Sequence, residues 1–171
     1  MKRRAITAER RAATRAEARA LAHPLRLRIL RLCLDASLTN RDLATRLGEQ
    51  PATVLYHVRT LVRNGFLVAE TERRGRRGAR EIPYRATRKS WTLDLQPGPT
   101  THTAPVDAFR AELAEAGPEA VLQSIRLGVR LSPKALERIL RRLGSAAMAA
   151  HEADEADGEP ISLYVGVHRR S

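Results

Sequence analysis

Arg73, Arg74, Arg76, Arg77 and Arg80 put five guanidinium groups within eight consecutive positions, in a run that also holds Gly75 and Gly78. Cations this crowded repel one another unless an anion lies among them, and a phosphate backbone or a narrow minor groove offers one. A solvated loop is the plainer alternative. Other residues with chemical potential are less telling. Cys33 is the only cysteine, which excludes an intramolecular disulfide framework, and nothing in the sequence singles out a base for it. A buried structural thiol suits it better than a nucleophile. His151, Glu152, Asp154, Glu155, Asp157 and His168 match no metal-ligand spacing, and a charged run of this kind reads as a solvated loop. No metal and no cofactor is therefore expected. The chain also lacks a Gly-rich phosphate loop, a paired-His metal helix and a nucleophile elbow, so a non-enzymatic protein is expected.

Charge narrows the choice of partner. The 171 residues carry 31 Lys+Arg against 19 Asp+Glu, a net +12. Arginine supplies nearly all of it beside abundant alanine, a bias that GC-rich codon usage alone can produce. Codon usage acts along a whole chain, however, and this charge is segregated. Residues 1–91 hold 22 basic and 8 acidic side chains, a balance of +14, whereas residues 92–171 hold 9 and 11, a balance of −2. A polyanion-binding half beside a neutral half has this form. With 43% hydrophobic but only 4% aromatic residues, the core must be built from Leu, Val, Ile and Ala, which favours packed helices. No apolar run reaches the roughly 20 residues that span a bilayer, and Met1-Lys2-Arg3-Arg4 leads into no signal-peptide core. A cytoplasmic protein without a membrane partner is expected.

The elements that would carry these groups can be read in order. Residues 5–21 lack Gly and Pro and are rich in helix formers, which predicts a helix. Pro24 sets a boundary, and Leu25, Leu27, Ile29, Leu30, Leu32 and Leu34 mark a second, mostly buried one. Thr39 with Asp42 three residues on begins a third, which Gly48 stops. Gln50-Pro51 starts a fourth at once, with Val54, Leu55, Val58, Leu61 and Val62 on its apolar side and Asn64-Gly65 at its end. Only a few residues separate these last two helices, as in a helix-turn-helix. From Phe66 the period changes to that of strands, at 66–70 and 82–86 around the arginine-rich loop. Further on, Trp91, Leu93 and Leu95 alternate as a short strand, and residues 96–105 form a linker. Helices are expected at 106–116, 119–131 and from Ser132-Pro133 onward. Ile161, Leu163, Val165 and Val167 alternate as a last strand, expected to pair with 90–95.

The run from Ala22 to Leu30, AHPLRLRIL, resembles the opening helix of ArsR-type winged-helix repressors. Residues 51–68, PATVLYHVRTLVRNGFLV, resemble their recognition helix and its exit into the wing. The likeness covers residues 20–88 in one uninterrupted order. It implies a mainly α fold with small β: a winged helix-turn-helix of three helices plus a β-hairpin wing, here followed by a C-terminal α+β extension. A helix fits the major groove, where its N-terminal and outward side chains reach base edges. Those positions are Gln50, Ala52, Thr53, Tyr56, His57, Arg59, Thr60 and Arg63. Gln and Arg suit bidentate base contacts, Thr and Tyr suit phosphates, and His57 is open between DNA contact and packing. Arg41 and Arg46, on the preceding helix, are placed for the backbone or for solvent. The thiol-dependent metal sensors of this family carry closely spaced cysteines on the first helix of the motif. This chain has none between Thr39 and Leu47, so cysteine-based sensing is a departure from the pattern.

Residues 1–91 are thus expected to be an N-terminal helix plus a DNA-binding winged helix, and residues 92–171 a dimerisation or effector extension. The implied function is transcriptional repression by a homodimer. It would read an inverted repeat of double-stranded DNA through residues 51–64 and a basic wing at 71–81. By resemblance the dimer interface falls on residues 5–21 and the helices between 106 and 131. A small-molecule effector pocket in the extension and plain core packing both remain open. A winged-helix protein-interaction module without intrinsic DNA affinity is the alternative.

Overall fold

Thr14 decides where the first helix begins. Its hydroxyl oxygen accepts from the Glu17 amide at 3.2 Å, and Glu17 Oε2 accepts from the Thr14 amide at 2.8 Å, a reciprocal capping box. The computed structural model describes residues 10–74, 80–95, 103–155 and 157–170. In chain order the elements are β1 (Arg11–Ala12), α1 (Arg15–Leu21), α2 (Pro24–Asp35), β2 (Leu38–Thr39), α3 (Asn40–Leu47) and α4 (Pro51–Arg63). There follow β3 (Leu67–Ala69), β4 (Arg73–Arg74), β5 (Arg80–Glu81), β6 (Pro83–Ala86), β7 (Leu93–Asp94), α5 (Thr103–Ala116) and α6 (Pro133–Glu152).

Local signals set the three central helices. His23 Nδ1 accepts from the Leu25 amide at 3.2 Å ahead of Pro24, which starts α2. Thr39 and Asp42 form a second capping box on α3, and Gly48 ends that helix at φ +66, where a side chain would be strained. Pro51 opens α4 at the position where a missing N–H costs nothing. The three helices meet in one core in which Ile29, Cys33, Leu43, Val54, Val58 and Leu61 are fully buried and Phe66 almost so. Each such aliphatic side chain contributes roughly 1.5–3 kcal/mol by leaving water.

The wing forms as expected and gains a strand. β6 lies between β3 and β2, both antiparallel to it, with Leu67 opposite Ala86 and Leu38 opposite Tyr84. Further out, β4 pairs with β5, Arg73 opposite Glu81 and Arg74 opposite Arg80. Arg76, Arg77 and the glycines between the strands lie outside the described residues.

Residues 10–116 make one compact unit, which runs past the boundary expected at residue 91. α5 packs on α2 within it, burying Ala104 and Ala108. Arg28 pairs with Glu115, and Arg31 with Glu112 at 4.0 Å. The unit corrects two expectations. The N-terminal helix does not run through residues 10–14, because Arg11–Ala12 are drawn into a parallel ladder with Leu93–Asp94 before Thr14 caps α1. Among the described residues the strand at 93–94 is paired by that ladder, where the sequence reading expected residues 161–168.

Residues 117–170 are described by themselves. α6 begins where expected, with the Ser132 hydroxyl accepting from the Ala135 amide at 3.2 Å. The helix expected at 119–131 is absent beyond a single turn at Pro118–Ala120. Gly117 at φ +82 followed by Pro118 breaks the chain there, and Val121, Ile125, Gly128 and Val129 are poor helix formers. The strand expected at 161–168 joins no ladder among the described residues.

Candidate nucleic-acid interface

The geometry of α4 sorts the expected contact residues into two sets. Val54, Val58 and Leu61 point into the core at full burial, which turns Gln50, Ala52, Thr53, Tyr56, Arg59 and Arg63 outward. Tyr56 is 66% exposed, a large aromatic held at the surface of the helix. Thr60 is half-buried, and its hydroxyl donates to the Tyr56 carbonyl at 3.0 Å. The first turn of α4 has no side-chain cap from Gln50, so its open amides suit a phosphate oxygen.

His57 belongs to the inward set. It is 6% exposed, its ring lies 4.4 Å from that of His23, and Tyr56 stands edge-on to it at 5.2 Å. Arg26 Nη1 approaches His57 Nδ1 at 3.3 Å, while its other nitrogens donate to the Ala20 and Arg19 carbonyls at 2.5 and 2.7 Å. Of the two roles open to His57 from sequence, the structure shows packing. Burial first, then the neighbouring His23 and Arg26, pushes its pKa down to about 4, so the ring is neutral at physiological pH.

Two side chains that sequence reasoning passed over hold α4 in place. Asn40 Nδ2 donates to the Pro51 carbonyl at 3.0 Å and ties the start of α3 to the start of α4. At the far end, Lys89 Nζ donates to the Asn64 carbonyl at 2.7 Å and pairs with Glu17 Oε1 at 2.8 Å. Glu17 also takes Arg11 at 2.6 Å, and these hydrogen bonds hold its carboxyl far below the usual carboxylate range. Thr14 and Glu17 have capping-box spacing, a signal that could have been read. The contacts of Asn40 and Lys89 leave no mark in the sequence.

The wing lies beside α3. Arg73 reaches Asp42 at 3.7 Å, and Arg80 reaches Glu72 at 3.2 Å. Two of the five arginines thus have a carboxylate inside the fold, and the expectation that the cluster needs an outside anion is weakened to that extent. Exposed pairs of this sort are worth about 0–1 kcal/mol, little enough for a phosphate to displace. Arg74 is exposed on β4, and Arg41 and Arg46 are exposed on α3, lining a groove with Asp42, Thr45 and Glu81. Among the described residues no group of three or more His, Cys, Asp or Glu could hold a metal ion, and no described helix is long and apolar enough to cross a membrane. Burial raises the Cys33 thiol to about 12, so it is not a thiolate at neutral pH.

Three helices, an antiparallel sheet shared with β2, and a basic hairpin following the third helix constitute a winged helix-turn-helix. Residues 21–69 match a family described as "Helix-turn-helix domain". No curated protein matches the chain. Solved structures with similarity include reduced HlyU from Vibrio cholerae, at 22% identity and a TM-score of 0.35, covering 53% of this chain and 80% of that one. The zinc-dependent MarR family regulator AdcR in its Zn(II)-bound state is 20% identical with a TM-score of 0.34, covering 85% and 80%. The M. tuberculosis transcriptional regulator MosR is 20% identical with a TM-score of 0.29, covering 80% and 78%. Likeness this weak has no bearing on what the chain binds.

Proposed function

We propose that the chain is a sequence-specific, double-stranded DNA-binding transcriptional regulator, a repressor that reads an inverted repeat as a homodimer. One observation carries the reading. α4 buries Val54, Val58 and Leu61 in the core and turns Gln50, Thr53, Tyr56, Arg59 and Arg63 outward, beside a hairpin bearing Arg73, Arg74 and Arg80. A helix presented this way fits a major groove, and arginines on an adjacent hairpin fit the neighbouring backbone or minor groove. The +14 balance of residues 1–91 adds the attraction that duplex binding needs. The ArsR-type resemblance of residues 22–30 and 51–68 supports the repressor role and the two-fold arrangement. No catalytic step is part of this function, a small-molecule effector is compatible with it, and a DNA partner places the protein with the nucleoid in the cytoplasm.

Fluorescence anisotropy on duplexes selected from the source genome tests this. Arg59→Ala is expected to weaken the selected site by about 1–3 kcal/mol and to relax preference at one base pair. Arg74→Ala is expected to weaken all duplexes alike and to reduce the salt slope by about 1. Wild-type protein with no duplex affinity at physiological salt would overturn the reading in favour of a protein-interaction module.

A further inference from the structure

An arginine side chain carries N–H donors and no acceptor, and Arg26, half-buried in the first turn of α2, directs all three of its nitrogens into the fold. Nε and Nη2 donate to the Ala20 and Arg19 carbonyls at 2.5 and 2.7 Å, which closes the last turn of α1. Nη1 lies 3.3 Å from Nδ1 of His57, so that ring nitrogen must accept, and the proton of the neutral ring sits on Nε2. Among the described residues no carboxylate pairs with Arg26, and the titratable group that acts on it is Tyr56. A guanidinium withdrawn from water without a counter-ion gains little stability from its place there. Capping α1 accounts for two arms of the fork, and the third crosses to α4.

That third arm meets a helix whose rotation about its own axis decides what it can read. Val54, Val58 and Leu61 hold α4 by apolar contacts, which have no direction, whereas a hydrogen bond weakens steeply below an angle of about 120°. Turning α4 by about 20° would carry its outward side chains, about 6 Å from the axis, about 2 Å sideways. A bidentate base contact does not survive a shift of that size. His57 Nδ1 is a polar fixed point on the inward side of α4, between the Asn40 contact at Pro51 and the Lys89 contact at Asn64. The ring is also wedged. His23, whose own Nδ1 accepts from the Leu25 amide, stands 4.4 Å from it, and Tyr56 lies edge-on at 5.2 Å. We propose that Arg26 is a positioning residue for DNA recognition: through His57 it fixes the rotation of α4 and the ring of Tyr56, and so sets which base edges Thr53, Tyr56 and Arg59 meet. Arg26 itself does not touch the duplex. The link between Arg26 and His57 stands on the geometry alone; its bearing on base recognition rests on the DNA-binding reading above.

Anisotropy on selected duplexes, with Arg26→Met, His57→Leu and the double variant of the full chain held below their unfolding temperatures, tests this. Each single variant is expected to lose about tenfold in preference for the selected site over a one-base mismatch, with the salt slope unchanged. The double variant should lose no more than either single one, since the two groups act as one link. Losses that multiply overturn the proposal. So does a salt slope smaller by about 1 in Arg26→Met, the mark of a phosphate contact. Folded single variants that discriminate as wild type does also overturn it, and leave Arg26 as a cap for α1. Where Arg26→Met does not fold, Arg26→Lys keeps the charge without the fork and is expected to lose as much discrimination; wild-type discrimination in that variant overturns the proposal. A readout without DNA keeps the two readings apart. His57 is pushed down to about 4 by burial, His23 and Arg26, with Tyr56 beside the ring and Glu49 acting on His23. In Arg26→Met its titration, followed by NMR, should move up toward the ordinary 6.5, because the facing cation is gone. An unmoved titration beside intact wild-type duplex binding defeats this proposal alone. Wild type without duplex affinity defeats the DNA reading and leaves the link between Arg26 and His57 to the titration.

Discussion

His57 follows Tyr56 directly on α4, but the two side chains do opposite work. Position 57 is three residues past Val54 and four before Leu61, so it falls on the edge of the buried stripe, which is why the sequence left it open between DNA contact and packing. Its depressed pKa has a consequence for stability. Between about 4 and the ordinary 6.5 the unfolded chain binds a proton that the folded chain refuses, so stability is full above pH 6.5 and falls as pH drops through that window. Urea unfolding is expected to show a loss of up to about 3 kcal/mol from pH 7 to pH 4. A His57→Leu variant should lose much of that dependence, and equal slopes in both proteins would contradict the assignment. Cys33 gives a simpler check. With its thiol fully buried and pushed up to about 12, a thiol reagent is expected to label it only after denaturant is added.

At the level of elements, α2, α3 and α4 were legible because their boundaries are written locally in Pro24, Thr39 with Asp42, Gly48 and Pro51. Residues 121–131 were misread for an equally physical reason. Val121, Ile125 and Val129 recur every four residues as a helix would, while Ile125, Leu127, Val129 and Leu131 recur every two, and the pattern supports both periods. The caps and the core of the central helices lead to definite expectations. Gly48→Ala should destabilise by about 1 kcal/mol, since it places a Cβ at φ +66 with no steric neighbour to share the blame. Leu61→Ala should cost about 2–5 kcal/mol by opening a cavity under α4. Chemical denaturation measures both.

On the scale of the molecule, charge is segregated along the chain, with a balance of +14 over residues 1–91 and −2 over residues 92–171. The structure places the outward face of α4 and the described wing arginines in the same basic unit, residues 10–116. Tertiary contacts escaped the sequence because their partners are far apart along it: Asn40 with Pro51, Glu17 with Lys89, Arg11 with Leu93. Nor could the sequence place α5, which buries Ala104 and Ala108 and sets Glu115 and Glu112 beside Arg28 and Arg31 of α2. Replacing Glu17 by Gln removes the carboxylate that two cations share, and a lower melting temperature at neutral pH is the expected result. An unchanged melting temperature would mean that Arg11 and Lys89 do not depend on it.

The Glu17–Lys89 contact lies at the rear end of α4. Thirteen residues make α4 roughly 20 Å long, pinned at its front by Asn40 and at its rear, through Asn64, by Lys89. If the rear pin is released, a tilt of about 10° carries the last turn sideways by about 3 Å, close to the spacing of successive base pairs along a duplex. If the chain binds DNA as proposed, Glu17→Gln is expected to shift base preference under the last turn of α4, a change that duplex selection with the variant measures.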